Sequence, residues 1–355
     1  MKIVFVLSEI GLSGGVKVVF EYANRLQERG HDVSVIYPLF PMRGKAKWFD
    51  VKKLVNRVLR VIVNLKHGNH VDWFNLKANL IRVPVISEKN IPDADIIVAT
   101  WWETAYYIKG YSRNKGKKFY LIQHYEIWGG PKEKVDKTYR LGLHNIVISN
   151  WLKNILESLG TKVEAVILNG VNSDEFYPEY VERDDSKIRI LMPYRSQEWK
   201  GIKDGLKALE IVKGDHENVR LVMFGPKPRK GELFKGVEFH LQPTQNELRR
   251  IYNSCDIFVF PSCCEGFGLP PMEAMACKCA VVTTNVGAVP EYTIPRKTAL
   301  VSPPDDAKDL AKNIIRLIEN DKERRKIAEN GYNHIKQFTW DKATDQLERV
   351  FKRCI

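Results

Sequence analysis

The sequence contains no apolar run of about 18 residues, the minimum length of a membrane-spanning helix. It also has no low-complexity tract, and residues 1–9 turn acidic too early for a signal peptide. We therefore expect a cytoplasmic protein with no membrane span and no secretory leader. A chain of 355 residues usually forms two domains and can bury an ample core.

Metal-binding patterns are also missing. The six cysteines include no CxxC pair and no zinc-ligand spacing, so we expect reduced, buried thiols. Asp93 and Asp95 spell a DxD motif, but they precede an apolar strand instead of following one, and we interpret them as loop caps. The sequence therefore predicts no metal site.

The glycine pattern of a dinucleotide-binding fold is absent as well. A buried strand at residues 2–7 leads through Gly14 and Gly15 into an amphipathic helix, but GxGxxG is not found. No suitably placed acidic residue closes the second strand, 32–36. These two departures disfavour a dehydrogenase.

Positive charge is in excess, with a formal net charge of +13. Such a charge indicates anionic partners, which include nucleotide phosphates, nucleic acid and an acidic membrane surface. The charge alone does not select among them.

One stretch carries the strongest chemical signal. An apolar β-run at residues 257–260 is followed by a loop with Glu265 and by a helix that we expect to begin at Pro270. Gly266 and Gly268 allow the backbone to approach a ligand, and the amides and dipole of a helix start favour phosphate. We place Glu273 in the first helical turn, where it either faces the ligand or complements the helix dipole.

The segment Glu265-Gly-Phe-Gly-Leu-Pro-Pro-Met-Glu273 resembles the glutamate, seven residues, glutamate motif of the retaining glycosyltransferases of family 4, the glycosyl transferases group 1. The likeness extends to Phe260-Pro-Ser262 before the motif and to residues 286–291 after it. The resemblance implies an α/β protein of GT-B fold, with two Rossmann-like domains facing each other across a cleft. The implied parts are an acceptor-binding domain at 1–168, a linker at 169–186, a nucleotide-sugar-binding domain at 187–338 and a helix crossing back to the first domain at 339–355.

The resemblance also implies a donor site for a nucleotide diphosphate sugar. Arg195 and Lys200 resemble the family's basic pair, which stabilises the charge that builds on the leaving diphosphate without a metal. Glu265 would orient the sugar, Glu273 would hold the ribose hydroxyls, and His124 would contact the sugar from the other domain. The implied catalytic residues are Glu265, His124, Arg195 and Lys200, and the implied donor contacts are Gly14, Gly15, Arg195, Lys200, Gly225, Pro243, Glu265, Gly266, Phe267, Gly268, Leu269 and Glu273.

Acceptor contacts are predicted at the end of the strand 95–99, where Trp101, Trp102 and Glu103 follow. Core packing of the two tryptophans is the alternative. Residues 50–66 predict a basic amphipathic helix, which either lies on an anionic membrane surface or packs against the core. Peripheral contact with the inner face of the membrane therefore stays open.

Together with these features, the resemblance implies a metal-independent, hexosyltransferase-type enzyme without a cofactor. It would transfer sugar, with retention, to a hydroxyl of a glycan, lipid-linked or small-molecule acceptor in polysaccharide or glycolipid biosynthesis. Nucleic acid is not an expected partner. A nucleotide-sugar 2-epimerase of the same architecture and a non-catalytic glycan-binding protein remain the alternatives, and the sequence identifies no catalytic nucleophile, donor sugar or base.

Overall fold

The computed structural model describes residues 1–40, 70–182, 186–228, 231 and 236–355. It divides into two compact units, of which the first combines Met1–Asn169 with Trp340–Ile355 and the second is Gly170–Thr339. The predicted basic helix at residues 50–66 lies outside the described residues.

The first unit is built on a parallel sheet in the order β3-β2-β1-β4-β5-β6-β7. Its strands are β1 (Lys2–Val6), β2 (Asp32–Pro38), β3 (Asn79–Val83), β4 (Ile96–Ala99), β5 (Lys117–Ile122), β6 (His144–Val147) and β7 (Ala165–Val166). In this register Val4 pairs with Ser34 on one side and with Ile97 on the other. Because both faces of a parallel sheet are covered, its central strands are apolar almost throughout, as β1 and β4 are here.

The second unit contains a six-stranded parallel sheet in the order β10-β9-β8-β11-β12-β13. Its strands are β8 (Ile188–Pro193), β9 (Val219–Gly225), β10 (Glu238–Leu241), β11 (Ile257–Phe260), β12 (Ala280–Thr284) and β13 (Leu300–Ser302). All four residues of β11 are buried.

The helices in the described part of the chain run between these strands and follow them. They are α1 (Gly14–Glu28), α2 (Trp102–Ile108), α3 (Lys132–Thr138), α4 (Asn150–Ser158), α5 (Ile202–Asp215), α6 (Gln245–Asn253), α7 (Leu269–Ala276), α8 (Val289–Tyr292), α9 (Ala307–Glu319), α10 (Asp321–Ile335) and α11 (Trp340–Cys354). Among them, none combines the length and the apolar character that a bilayer crossing requires.

Helix α11 packs on the first unit, against α1. The Trp340 ring meets the Tyr22 ring edge-on, with centroids 5.5 Å apart. Arg29, just after α1, lies 2.8 Å from a carboxylate oxygen of Asp345 and 3.1 Å from one of Glu348. The last helix is therefore joined to the first unit by an aromatic contact and by ion pairs.

Both sheets contain the Rossmann strand order. Numbered from the first strand of each unit, the order reads 3-2-1-4-5-6 in both sheets, with one more strand at the end of the first. The order reverses between β1 and β4 in the first sheet and between β8 and β11 in the second. In such sheets ligands bind beyond the carboxyl ends of the strands at this reversal point, so the loops after these four strands are the places to look for a site.

Candidate functional site

The loops that follow β8 and β11 are joined through their backbones. The amides of Cys263 and Cys264 donate to the carbonyl of Trp199, at 2.8 and 3.2 Å. Gly201 has a φ of +63°, and a Cβ there would lie 1.8 Å from the Pro261 carbonyl oxygen. Only glycine fits this position. Gly201 therefore allows the loops after β8 and β11 to approach each other closely.

An ion pair lies where these loops meet. The Lys200 Nζ is 2.8 Å from Oε1 of Glu265, and the Ser262 hydroxyl donates to the same oxygen at 2.7 Å. The side chains of Lys200 and Glu265 are 26% and 7% exposed. The carboxylate is thus largely shielded from water, whereas the ammonium keeps part of its surface exposed.

Arg195 lies beside the two motif glutamates. Burial lowers the pKa of its guanidinium below the ordinary value, whereas the nearby Tyr252, Glu273 and Glu265 act in the opposite direction. Its Nη1 donates to the carbonyl of Tyr194 at 3.1 Å. The structure therefore brings together four of the predicted residues, Arg195, Lys200, Glu265 and Glu273.

Gly225, at the end of β9, makes room for this arginine. Its φ is +152°, and a Cβ would lie 2.3 Å from the Tyr194 carbonyl oxygen and 3.1 Å from the Arg195 guanidinium. The Gln242 amide donates to the Gly225 carbonyl at 2.9 Å, which places Pro243 at the same edge of the sheet.

Helix α7 begins at Leu269, one residue before the predicted Pro270. Gly268 precedes it with a φ of +87°, and its carbonyl accepts a hydrogen bond from the Tyr292 hydroxyl at 2.9 Å. The Phe267 ring packs against the same tyrosine ring at a tilt of 34°, with centroids 5.5 Å apart. Pro270 and Pro271 lie in the first turn of this helix and have no N–H. The amides that the helix start can offer to a ligand are therefore those of residues 266–269.

The prediction that Glu273 lies in the first turn of α7 is wrong. It is the fifth residue of the helix, and the first turn contains no acidic residue. Its carboxylate is buried and accepts a hydrogen bond from the Tyr252 hydroxyl at 3.1 Å. Burial and the nearby Glu273 charge raise the pKa of Tyr252 well above 10, so the phenol remains a donor. Tyr252 is a site residue that sequence reasoning missed.

In the first unit, Gly14 and Gly15 form the start of α1. The Ser13 hydroxyl caps this helix by accepting from the Val16 amide at 3.3 Å. The side chain of Gln123, just after β5, donates to the Gly15 carbonyl at 3.1 Å. The predicted glycine pair is therefore held next to the end of β5.

The predicted acceptor contacts lie after β4 with unequal exposure. Trp102 and Glu103 are buried, with 7% and 9% exposure, whereas Trp101 is half-buried. His124 is also half-buried, and its Nδ1 lies 3.1 Å from the Tyr125 carbonyl oxygen. Of the three predicted contacts, Trp101 is the one that the first unit leaves most open to solvent.

Glu126 is a second residue that sequence reasoning missed. It is 2% exposed, and one carboxylate oxygen accepts from the Trp102 amide at 2.7 Å and from the Tyr120 hydroxyl at 3.1 Å. Burial raises its pKa to about 8, with a further contribution from Glu103. A glutamate after an apolar strand usually faces water, so the sequence gives no signal of this environment.

One group of possible metal ligands occurs in the described part of the chain. Asp204, Cys263 and Asp305 each bring one ligand atom within 4.8 Å of the others. The Cys263 thiol lies 2.9 Å from an Asp305 oxygen, and burial together with that carboxylate raises the thiol pKa to about 12. A thiol donating to a carboxylate accounts for this geometry, since metals bind the thiolate form. That the reaction needs no metal stays a prediction.

Comparison with known families agrees with the motif. The model described as Glycosyltransferase Family 4 matches residues 12–175, and the model described as Glycosyl transferases group 1 matches residues 173–334. An uncharacterized glycosyltransferase of Methanocaldococcus jannaschii is 27% identical over 213 residues, which is 58% of each chain. The matched stretch thus spans less than two thirds of that relative.

A second relative matches over most of its length. The N,N'-diacetylbacillosaminyl-diphospho-undecaprenol alpha-1,3-N-acetylgalactosaminyltransferase of Campylobacter jejuni is 23% identical over 360 residues, covering 93% of both chains. An O-antigen chain mannosyltransferase B of Escherichia coli is 35% identical over 106 residues, which is 30% of this chain and 27% of that protein.

Solved structures share the fold. Sucrose-phosphate synthase from Thermosynechococcus elongatus has a TM-score of 0.74 at 18% identity, covering 100% of this chain and 99% of that one. HepE from Anabaena, solved in complex with UDP-glucose, has a TM-score of 0.74 at 16% identity, covering 99% and 100%. The prediction of two Rossmann-like domains of GT-B type is confirmed. Since its sequence matches both family models in succession, the chain belongs to the glycosyl transferases group 1, glycosyltransferase family 4.

Proposed function

We propose that this glycosyltransferase moves a sugar from a nucleoside diphosphate sugar to a hydroxyl of a glycan, lipid-linked or small-molecule acceptor, with retention at the anomeric carbon. The observation that carries the proposal is the group formed by Arg195, Lys200, Glu265 and Glu273. It lies where a Rossmann sheet binds ligands, at the carboxyl ends of β8 and β11.

The diphosphate would bind between the two cations and the start of α7. When the glycosyl bond breaks, negative charge builds on the leaving diphosphate, and fixed cations stabilise it without reorganisation. Lys200 is already held in place by Glu265, so little side-chain freedom has to be lost on binding. The amides of residues 266–269 would add donors to the phosphate oxygens or to the sugar.

Glu273 would accept hydrogen bonds from the ribose hydroxyls. The Tyr252 hydroxyl fixes the orientation of its carboxylate. Pro243 and Gly225 would line the nucleotide site. In the first unit, Gly14, Gly15 and His124 stay predicted donor contacts.

Several relatives support the substrate class. HepE was crystallised with UDP-glucose. The Campylobacter jejuni relative is named for a transfer to a diphospho-undecaprenol acceptor, and the Escherichia coli relative for a transfer to an O-antigen chain. A role in cell-surface polysaccharide or glycolipid synthesis is therefore part of the proposal, as are a metal-independent reaction and peripheral contact with an anionic membrane.

The test combines a binding step with a turnover step. A panel of nucleoside diphosphate sugars is first screened by thermal shift, since a ligand that binds the native state raises the unfolding temperature. Release of nucleoside diphosphate is then measured with and without a glycan extract as acceptor. Acceptor-dependent release supports transfer, whereas interconversion of the donor sugar without acceptor indicates the 2-epimerase. Absence of any stabilising nucleotide contradicts the proposal.

A further inference from the structure

Four aromatic rings lie in a row at the carboxyl edge of the first sheet. The centroids of Trp101 and Trp128 are 5.0 Å apart, those of Trp128 and His124 are 6.2 Å apart, and those of His124 and Trp151 are 6.0 Å apart. These residues follow β4, β5 and β6, on the edge where parallel sheets bind ligands. We call them the aromatic row.

The row is open to solvent over part of its surface. Trp128 is 47% exposed, and Trp101, His124 and Trp151 are half-buried. Burying an aromatic side chain is strongly favourable. An exposed tryptophan with two aromatic neighbours at a ligand-binding edge therefore indicates a contact surface for a ligand.

The local backbone is shaped to hold these rings. A Cβ on Gly129 would lie 2.4 Å from the Trp101 ring, and a Cβ on Gly130 would lie 2.5 Å from the Trp102 ring. Side chains at either position would displace the indoles. The Gly-Gly pair thus leaves room for both rings.

Glu126 links two of the three segments that carry the row, the start of α2 and the turn after β5. Its carboxylate accepts from the Trp102 amide at the start of α2, and its carbonyl accepts from the Gly129 amide at 2.8 Å. Glu126 also begins the 3-10 turn that ends at Trp128. Because one residue ties the start of α2 to this turn, the Trp101 and Trp128 rings are held in a fixed relation.

We propose that the aromatic row binds a pyranose ring of the acceptor, with Trp128 as its main contact and Glu126 as a positioning residue. This inference rests on the proposed function and names where that acceptor binds. A pyranose presents C–H groups on one face and hydroxyls around its rim. The rings cross at 53° and 86° instead of forming one flat apolar plane, and the imidazole places polar atoms among them. This mixture fits an apolar face with a polar rim better than it fits a hydrocarbon chain.

The test measures glycoside binding to the whole chain. Methyl glycosides of glucose, galactose, mannose and their N-acetylated 2-amino forms are examined by saturation-transfer NMR and by tryptophan fluorescence. At least one glycoside is expected to bind, and Trp128→Ala is expected to weaken that binding by about fivefold or more, the scale of a lost aromatic contact. Trp128→Phe is expected to restore part of it. Ile127→Ala is the matched control, because Ile127 is 41% exposed on the same turn.

Three results would overturn the inference: no glycoside binds the unaltered chain, Trp128→Ala binds as well as the unaltered chain does, or the tryptophans respond only to vesicles of phosphatidylglycerol. Positioning by Glu126 is tested separately with Glu126→Gln and Glu126→Ala. Glutamine keeps an acceptor for the Trp102 amide and is expected to preserve glycoside binding, whereas alanine is expected to weaken it. Equal affinities of the two variants would remove Glu126 from that role.

Binding of nucleoside diphosphate is measured on the same proteins. It is expected to be unchanged in Trp128→Ala, because Trp128 is not among the predicted donor contacts and the diphosphate cations Arg195 and Lys200 belong to the second unit. A chain that binds glycosides but no nucleoside diphosphate would refute the proposed function and leave the aromatic row intact. A chain that binds the nucleotide but no glycoside would refute the aromatic row as a glycoside site and leave the proposed function standing.

Discussion

The Lys200 ammonium and the Glu265 carboxylate lie 2.8 Å apart and link the loops that follow β8 and β11. These two strands are neighbours in the second sheet, on either side of its reversal point. The ion pair therefore places a fixed cation where a Rossmann sheet binds phosphate.

Lys200→Ala is expected to lower turnover at least about tenfold, which corresponds to roughly 1.4 kcal/mol of transition-state stabilisation. The substitution removes a cation from the diphosphate and leaves the buried Glu265 carboxylate with a hydrogen bond from the Ser262 hydroxyl in place of an ion pair. Release of nucleoside diphosphate at saturating donor is the measurement. Lys203→Ala is the control, because Lys203 is 78% exposed and its ion pair with the exposed Glu198 is long, at 3.9 Å. Equal turnover in a folded Lys200→Ala protein would remove Lys200 from the mechanism.

Gly225→Ala is expected to weaken nucleoside diphosphate binding at least about tenfold, equivalent to ~1.4 kcal/mol. A methyl group there collides with the Tyr194 carbonyl and crowds the Arg195 guanidinium, at a φ that alanine rarely adopts. Isothermal titration provides the affinity. Gly214→Ala is the matched control: it lies within α5, nothing is within 4 Å of its Cβ, and alanine should stabilise the helix by up to ~1 kcal/mol. Undiminished affinity in Gly225→Ala would contradict the role assigned to Arg195.

Glu126 should make the stability of the first unit depend on pH. Its pKa of about 8 in the folded chain exceeds the ordinary value of 4.5. Between these values the folded chain keeps a proton that the unfolded chain has released. The free energy of unfolding should therefore fall as pH rises from 4.5 to 8, by up to ~1.4 kcal/mol per pH unit, and level off above 8.

Glu126→Gln should remove this slope, because glutamine does not titrate. Urea unfolding at several pH values between 5 and 9 measures it. Glu133→Gln, which changes an exposed residue on α3, should leave the slope as it is. The same slope in Glu126→Gln and in the unaltered chain would show that Glu126 does not cause it.

Glu348 should contribute stability that is lost in acid. The Lys352 ammonium, with further hydrogen bonds from Arg29 and His31, lowers the pKa of Glu348 to about 2. This stability is fully present above pH 4.5 and disappears as pH falls toward 2. Glu348→Gln should therefore be less stable than the unaltered chain at pH 7, and the difference should shrink between pH 4.5 and 2. A difference that stays constant over this range would indicate lost packing instead of lost charge.

The fold and much of the candidate site followed from local sequence patterns. Apolar runs predicted the strands, and a glutamate pair at fixed spacing predicted the family. Arg195 and Lys200 could be placed because they lie in the segment that follows a predicted strand and resemble the family's basic pair, and the carboxyl ends of neighbouring parallel strands share one edge.

What the sequence did not predict depends on long-range packing. Tyr252 reaches Glu273 from another helix, 21 positions earlier, and nothing in its surroundings distinguishes it from an ordinary core tyrosine. Trp128 lies in a short 3-10 turn that has no periodicity. The start of α7 was displaced by one residue because Gly268, with its positive φ, ends the loop before the prolines.

A crystal structure of the whole chain with a bound nucleoside diphosphate tests the central claim most directly. We expect both phosphates to contact Lys200, Arg195 and the amides that precede α7, and we expect the ribose hydroxyls to bind Glu273. A nucleotide bound elsewhere, or phosphates that contact neither Lys200 nor Arg195, would contradict the account.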